Sequence, residues 1–473
     1  MIFSLFKSKS KKGLPALRLH NTLSGRLEEF VPLGKEIKMY NCGPTVYDYV
    51  HIGNLRSYVF ADTIRRTLDA WGYTVKQVIN ITDFGHLVSD ADEGDDKMTK
   101  GLQREGLDPT MENMRILAER YTKAFLHDIE LVGVDTARVE FPRASAYIEE
   151  QIALIKTLEQ KGYAYRLSDG VYFDTSRFPN YGKLGHRDIA AQKEGARLEQ
   201  NKEKRNPSDF VLWKSDSKLG WQSPWDLGFP GWHIECTAMI FKLLGKQIDI
   251  HTGGIDHVSI HHNNEIAQAE AVTGKKFVRY WMHGEFITVE NRRVGKSQGN
   301  AILLSSLTDR GMFARALRYW YLTGHYLQPM NFTWEALEGA NAALVRLAKV
   351  HNEAPDGEPD EKFLQLFYGA VANDLNTPQA LALVWENIKN LNKATLAEAD
   401  KILGLGLAQV KPAQKLQVAR DELSEGVRAL LDTREAARQK KDFQKADEIR
   451  GEIESAGYTL KDTPEGPYIT KKG

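Results

Sequence analysis

Apolar and polar positions follow two rhythms along this chain. Up to about residue 300, short apolar runs alternate with stretches of three-and-four spacing. That alternation predicts strands joined by crossover helices in a parallel sheet. The run "EIKMYNCGPTVY" predicts a strand that ends in a Gly-Pro turn. Next, "NLRSYVFADTIRRTLDAWGY" places Leu55, Tyr58, Val59, Ala61, Ile64, Leu68 and Trp71 at helical spacing, and Gly72 ends the helix. "TVKQVINIT", rich in β-branched residues, predicts the following strand. Residues from about 110 to 165 carry helical periodicity. After them "SDGVYFDTSRFPNYGKL" predicts a small strand pair in an insertion between two halves of the sheet. "QIDIHTGG" and "WMHGEFITV" resume buried-strand patterns.

After about residue 303 the helical rhythm takes over. "MFARALRYWYLTGHY", "WEALEGANAALVRLAKV" and "KFLQLFYGAVAND" predict amphipathic helices, and "HNEAPDGEPDE" a polar linker. "LDTREAARQKKDFQKADEIRGEIESAGYTL" predicts one long helix or two. Its Arg434, Arg438, Lys440, Lys441 and Lys445 form a basic stripe, which reads first as a solvated helix face. Such a helical module beside a nucleotide-binding sheet also fits an RNA contact.

Composition narrows this picture little. The chain has 473 residues, 42% apolar and 27% charged, with 63 basic and 63 acidic side chains. A balanced charge excludes a generic nucleic-acid coat and leaves room for a local basic face. No apolar run reaches membrane-spanning length. The start, "MIFSLFKSKSKKGLP", has its apolar residues before its lysines, the reverse of a secretory signal, so a disordered basic tail and a cytoplasmic setting are expected. Two cysteines, Cys42 and Cys236, cannot build a disulfide scaffold. Each alone reads as a small buried apolar residue.

The candidate chemistry gathers where strands end. His51-Ile52-Gly53-Asn54 stands between a strand and a helix, the crevice where open α/β sheets bind ligands. A helix N-terminus there offers N–H groups to phosphate, and Gly53 lets a nucleotide approach the backbone. In "RRVGKSQGNAI", Lys296 lies in a Gly-flanked loop and could meet charge on a leaving pyrophosphate. His261 and Glu265, four apart, share a helix face and either can bind metal. Joining them to Cys42 and Cys236 would make a four-ligand zinc site, although the long separations alone do not establish it.

Together these pieces resemble the cysteinyl-tRNA synthetases, a class I aminoacyl-tRNA synthetase family. The resemblance runs from about residue 17 to the C-terminus. It includes "YNCGPTVYDYVHIGN", "NITDFGHLVSDADEGDDK", "KRNPSDFVLWK", "SPWDLGFPGWHIECTAM", "HHNNEIAQ", "YWMHG" and "DFQKADEIR" with "AGYTLKDTPEGP". It implies a Rossmann-like parallel-sheet catalytic domain with an insertion, followed by an all-α C-terminal helical bundle. The implied division is a basic tail (1–15), a catalytic domain (16–305, insertion roughly 105–215), a helical stem-contact region (306–365) and a helical anticodon-binding domain (366–473). The implied activity is ATP-dependent ligation of L-cysteine to tRNA(Cys) through a cysteinyl-adenylate, by a monomer with no membrane partner. Two readings share parts of the pattern: a ligase joining cysteine to a small amine such as an amino sugar, and a non-catalytic tRNA-binding paralogue.

The resemblance also implies residue roles. Cys42, Cys236, His261 and Glu265 would hold one Zn²⁺ per subunit, which selects the substrate thiol over serine's hydroxyl where shape discriminates poorly. His51, Asn54, Lys296 and Ser297 would be catalytic. Gly53, Gly254, Asp256, Arg293 and Lys296 would bind ATP, which arrives with Mg²⁺. Gly43, Thr45, Thr82 and Trp232 would line the cysteine pocket. Three departures stand out. Asn54 replaces a histidine common in class I enzymes, as it often does in this family. Arg293-Val294-Gly295-Lys296-Ser297 replaces Lys-Met-Ser-Lys-Ser, and Phe229 replaces an arginine.

Overall fold

The computed structural model describes residues 13–85, 97–186, 203–294, 299–410, 420, 423–463 and 466–471. Most of the predicted tail, and both Lys296 and Ser297, lie outside these residues. The described residues fall into two compact units, one spanning the chain to 308 with 312–407, the other 309–311 with 408–473.

The first unit is built on a five-stranded sheet of β1 (Glu36–Asn41), β2 (Thr74–Ile79), β3 (Val139–Glu140), β4 (Ile248–Gly254) and β5 (Val278–Gly284), in the order β5-β4-β1-β2-β3. Every neighbouring pair is parallel. Helix α1 (Ile52–Ala70) links β1 to β2, and α3 (His261–Thr273) links β4 to β5. The two connections lead away from the β1–β4 junction in opposite directions, so the crevice beyond the carboxyl ends of these strands is the topological switch point. Cys42 N donates to Thr252 O at 3.1 Å and Asn41 Nδ2 to Thr252 Oγ1 at 2.5 Å, closing that junction. Helix α2 (Trp232–Leu243) precedes β4.

The insertion holds more sheet than its periodicity predicts. The pair Ala164–Leu167 and Gly170–Phe173 continues through Phe210–Ser215 and Gly228–Pro230 into a four-stranded antiparallel sheet. Its third strand is buried on both faces and lacks alternation, which hides it from a period-two reading. The predicted linker begins late, because the helix Trp334–Glu353 carries His351 into the protein interior.

Helix α1 is the buried spine of this unit. Its Asp62 meets Arg65 at 2.7 Å, Arg66 at 2.5 Å and Arg318 of α4 (Ala314–Leu322) at 2.7 Å. Arg56 donates to the carbonyls of Glu285, Phe286, His325 and Gln328. That fork explains how a guanidinium is tolerated in the interior.

In the second unit, helices Glu425–Gln439 and Phe443–Ser455 pack on the hairpin Tyr458–Thr463 and Gly466–Lys471. The basic stripe needs correction here. Arg434 is 1% exposed and binds both oxygens of Asp462 at 2.9 Å. It clamps the hairpin to its helix, while Arg438, Lys440, Lys441 and Lys445 remain exposed.

Burial pushes the Asp62 carboxyl up, but Arg318, Arg66 and Arg65 outweigh it and hold the group well below the ordinary carboxylate range. Its contribution is therefore present at neutral pH and is lost as pH falls through that depressed value. Asp62→Ala, which strands buried guanidiniums, should cost about 3–5 kcal/mol in urea unfolding at pH 7. A loss below about 1 kcal/mol, the scale of an ordinary surface substitution, would refute this account of the cluster.

Candidate metal and nucleotide site

The candidate residues converge on the switch point. Cys42 follows β1, Cys236 lies on α2, and His261 and Glu265 lie one turn apart on α3. One ligand atom from each falls within 4.8 Å of the other three. His261 Nε2 stands 2.7 Å from Glu265 Oε1 and 3.7 Å from Cys236 Sγ. Cys236, His261 and Glu265 are buried.

The four groups shift one another's protonation. Burial would lower the His261 pKa, but the Glu265 carboxylate and then Cys236 raise it to about 10. The Cys236 thiol is drawn down to about 6, chiefly by its hydrogen bond with Cys42. Burial, then Cys236, push the Cys42 thiol well up. Two sulfurs, an imidazole and a carboxylate form the mixed donor set that zinc accepts. His233 Nδ1 lies 2.9 Å from His261 Nδ1. Burial holds His233 neutral. It can then accept the Nδ1 proton of His261 and leave Nε2 as the ligand atom.

The cysteine-pocket candidates are placed by backbone pairing. Thr45 and Thr82 form a parallel bridge, with Val46 N on Thr82 O and Thr82 N on Pro44 O, both 3.0 Å. Thr82 Oγ1 donates to buried Glu235 Oε2 at 2.8 Å. Gly43 N donates to Asn80 Oδ1 at 2.8 Å, and a Cβ on Gly43 would come within 1.5 Å of Asn80 O. Only glycine lets the ends of β1 and β2 approach this closely. Trp232 stacks on His261 at 4.5 Å between ring centroids. Phe229, the departure before Pro-Gly-Trp, packs against Trp221 and Phe84.

His51 is the N-cap of α1. Its Nδ1 accepts from Gly53 N at 3.1 Å and Asn54 N at 3.3 Å, while Asn54 Oδ1 accepts from His51 N at 3.1 Å. This is a capping box with an imidazole in place of a hydroxyl. An accepting Nδ1 places the ring proton of the neutral imidazole on Nε2. A Cβ on Gly53 would sit 2.9 Å from the His51 ring, so the small residue is needed for the cap as well. Ile52 N donates to Ile302 O at 2.9 Å, and His51 bridges Leu303. Asn300 Nδ2 donates to Arg293 O at 3.0 Å. The stretch after Arg293-Val294-Gly295-Lys296-Ser297, the second ATP signature of the family resemblance, is thus tied both to Arg293 and to the first, His51-Ile52-Gly53-Asn54. Arg293 is exposed, and Asp256, past the end of β4, folds back over Gly254.

Sequence reasoning missed the histidines around the cluster. His233, His251, His262 and His283 are all buried beside it. The signal lay in "GWHIEC", "DIHTGG", "IHHNNE" and "WMHGE", polar residues inside otherwise apolar stretches.

Comparison with known proteins agrees with this geometry. The class I (C) tRNA synthetase catalytic domain matches residues 29–342. A DALR domain matches 366–415, and the cysteinyl-tRNA ligase anticodon binding domain matches 420–469. A solved structure of Mycobacterium tuberculosis methionyl-tRNA synthetase bound by methionyl-adenylate shares the fold, with a TM-score of 0.54 at 15% identity, over 78% of this chain and 84% of that one. The class is that of the class I aminoacyl-tRNA synthetases. Cysteine–tRNA ligase 1 of Burkholderia lata is 46% identical over 96% of both chains. The cysteine–tRNA ligase of Treponema denticola is 39% identical over 94% of this chain and 98% of its own. The chain belongs to the cysteinyl-tRNA synthetase family. No described helix is long and apolar enough to cross a membrane.

Gly43→Ala should force the ends of β1 and β2 apart and shift Cys42. A melting temperature lowered by several degrees, as for about 1–3 kcal/mol of overpacking, is the expected result. An unchanged melting temperature would show that the junction tolerates a side chain.

Proposed function

We propose that this chain joins L-cysteine to tRNA(Cys) through a cysteinyl-adenylate, with Zn²⁺ held by Cys42, Cys236, His261 and Glu265. The observation that carries the reading is the buried ligand cluster at the switch point, next to a helix N-terminus that suits phosphate. When bound, the zinc supplies a soft Lewis acid that favours the substrate's thiolate over serine's hydroxyl.

The chain's own residues do the rest. The N-terminus of α1 presents backbone N–H groups and a partial positive charge to the ATP phosphates. His51, its ring proton on Nε2, donates toward the phosphates, and Asn54 holds that imidazole by capping. Gly53 keeps the approach open. Gly254 and Asp256 meet the ribose of ATP, and Arg293 reaches its phosphates. Thr82 Oγ1, donating to Glu235, turns a lone pair toward the substrate ammonium, while Gly43, Thr45 and Trp232 shape the pocket. The substrate carboxylate then attacks the α-phosphorus in line. Mg²⁺ arrives on ATP, and Lys296 and Ser297 stabilise charge on the leaving pyrophosphate.

Residues 16–305 carry this chemistry, 306–365 contact the acceptor stem, and 366–473 read the anticodon. Phe443 supports the last role. It is 58% exposed at the start of its helix, flanked in sequence by exposed Lys440, Lys441 and Lys445. An exposed ring among cations suits an unpaired base.

The deciding experiment is aminoacylation of total tRNA with labelled cysteine, and with serine in parallel. Charging with cysteine and not serine is expected. Cysteine-dependent pyrophosphate exchange without charging would favour the small-amine ligase. Native mass spectrometry should find about one zinc per chain; a fully active, metal-free enzyme would refute the selectivity argument. Lys296→Ala should cut adenylate formation by at least about 100-fold with an unchanged melting temperature. Phe443→Ala should weaken tRNA binding by about 1–3 kcal/mol and leave pyrophosphate exchange intact. Equal affinity would remove the ring from the RNA surface.

A further inference from the structure

The ligand cluster extends beyond the four residues assigned above. Glu265 presents its two oxygens to two imidazoles, Oε1 to His261 Nε2 at 2.7 Å and Oε2 to His251 Nε2 at 2.8 Å. Each cysteine likewise has its own imidazole. Cys236 Sγ lies 3.7 Å from His261 Nε2, and Cys42 Sγ lies 3.2 Å from His262 Nε2. Cys42, His251, His262 and Glu265 each bring a ligand atom within 4.8 Å of the others, just as the first set does. The carboxylate stands as a wall shared by two half-sites.

We infer that Cys42, His251, His262 and Glu265 form a second, overlapping zinc-ligand set, which holds the ion when Cys236 or His261 is withdrawn. The inference rests on the zinc reading above and goes beyond it in the ligands it assigns.

A second observation points the same way. His262 Nδ1 lies 2.7 Å from His283 Nε2, and His283 Nδ1 lies 2.8 Å from Thr22 Oγ1. This buried chain can run in two senses. With Thr22 donating inward, His262 Nε2–H ends the chain and donates to the Cys42 sulfur. With Thr22 accepting, His262 Nδ1–H donates to His283, and Nε2 turns a lone pair toward the cluster. The first sense supports Cys42 as a thiolate ligand in the first set. The second makes His262 a ligand itself, with the outer partner that a metal-bound histidine ordinarily has.

The donor chemistry ranks the sets. Two thiolates and a carboxylate bring three negative charges to a divalent ion, whereas one thiolate, one carboxylate and two neutral imidazoles bring two. The second set leaves a neutral complex, which is less costly to bury. The first has the softer donors that zinc favours. The first set therefore holds the ion in the intact chain, and the second becomes occupied when the first is broken.

The test uses the full-length chain, loaded with zinc or with cobalt(II) and freed of excess metal. Metal per chain is read by native mass spectrometry, and thiolate ligation by the sulfur-to-cobalt charge-transfer band. The wild type should carry about one ion and a two-thiolate band. Cys236→Ala should still carry about one ion, with that band roughly halved. Adding His262→Ala to Cys236→Ala should lower occupancy at least roughly tenfold. Cys236→Ser, which nearly keeps the side-chain volume, and His261→Ala should each retain an ion too, covering the case in which Cys236→Ala does not fold. Folded single variants that come out empty would overturn the second set, as would a double variant that stays loaded. An empty wild type would instead remove the zinc reading itself.

Discussion

Two thiols and a carboxylate set side by side, two of the three buried, need positive charge, and the imidazoles packed against them supply it. Burial alone would push all three acids toward their neutral forms. Here the His251 and His261 imidazoles overcome burial and hold the Glu265 carboxyl well below its ordinary range. No single element brings these donors together. The β1–β4 junction positions Cys42, α2 supplies Cys236, and α3 supplies His261 and Glu265 on one face. The close approach of Gly43 to Asn80, the junction through Thr252 and the buried histidines all serve that convergence.

The same junction ties the ligand cluster to the N-terminus of α1. Eight residues lie between Cys42 and His51, and within them the chain pairs with Thr82, which opens onto buried Glu235 beside Cys236. Cys42 and the His51 cap of α1 therefore share one length of backbone. Asp62 and Arg56 hold α1 against the helices and loops that follow the sheet. That packing fixes the position of the α1 N-terminus.

α1, β1 and β2 were legible because they obey local periodicity, with Gly72 ending the helix. The expected Gly-Pro turn does not form, since the chain past Asn41 runs on beside β2 to the Thr45–Thr82 bridge, and β3 breaks the stretch from about 110 to 165 that periodicity read as helical. The third strand of the insertion was not legible, since burial on both faces erases alternation. Arg434 was misread because a helical stripe records position and not the acid it meets, and Asp462 lies 28 residues away. The four candidate metal ligands could be named only through resemblance, because 194 residues separate Cys42 from Cys236 and no spacing rule spans that distance. His251 and His262 escaped notice for a related reason. Their meaning depends on which oxygen of Glu265, and which sulfur, each ring faces, and that is a property of packed strands and helices.

Asn54 illustrates how a departure from a signature can be absorbed. Position 54 is the third residue of α1, where a capping box needs an acceptor for the backbone N–H of the cap. Asparagine's amide oxygen fills that need and frees the imidazole of His51 to accept from Gly53 and Asn54 in return. The exchange fixes the tautomer of the His51 ring without adding a second titratable group to the helix end. The second signature differs in kind. Its altered half begins at Arg293, whose carbonyl is held by Asn300, and the chain beyond rejoins His51 through Ile302 and Leu303. Both stems of that loop are therefore anchored by backbone contacts that do not depend on which residues occupy its first half.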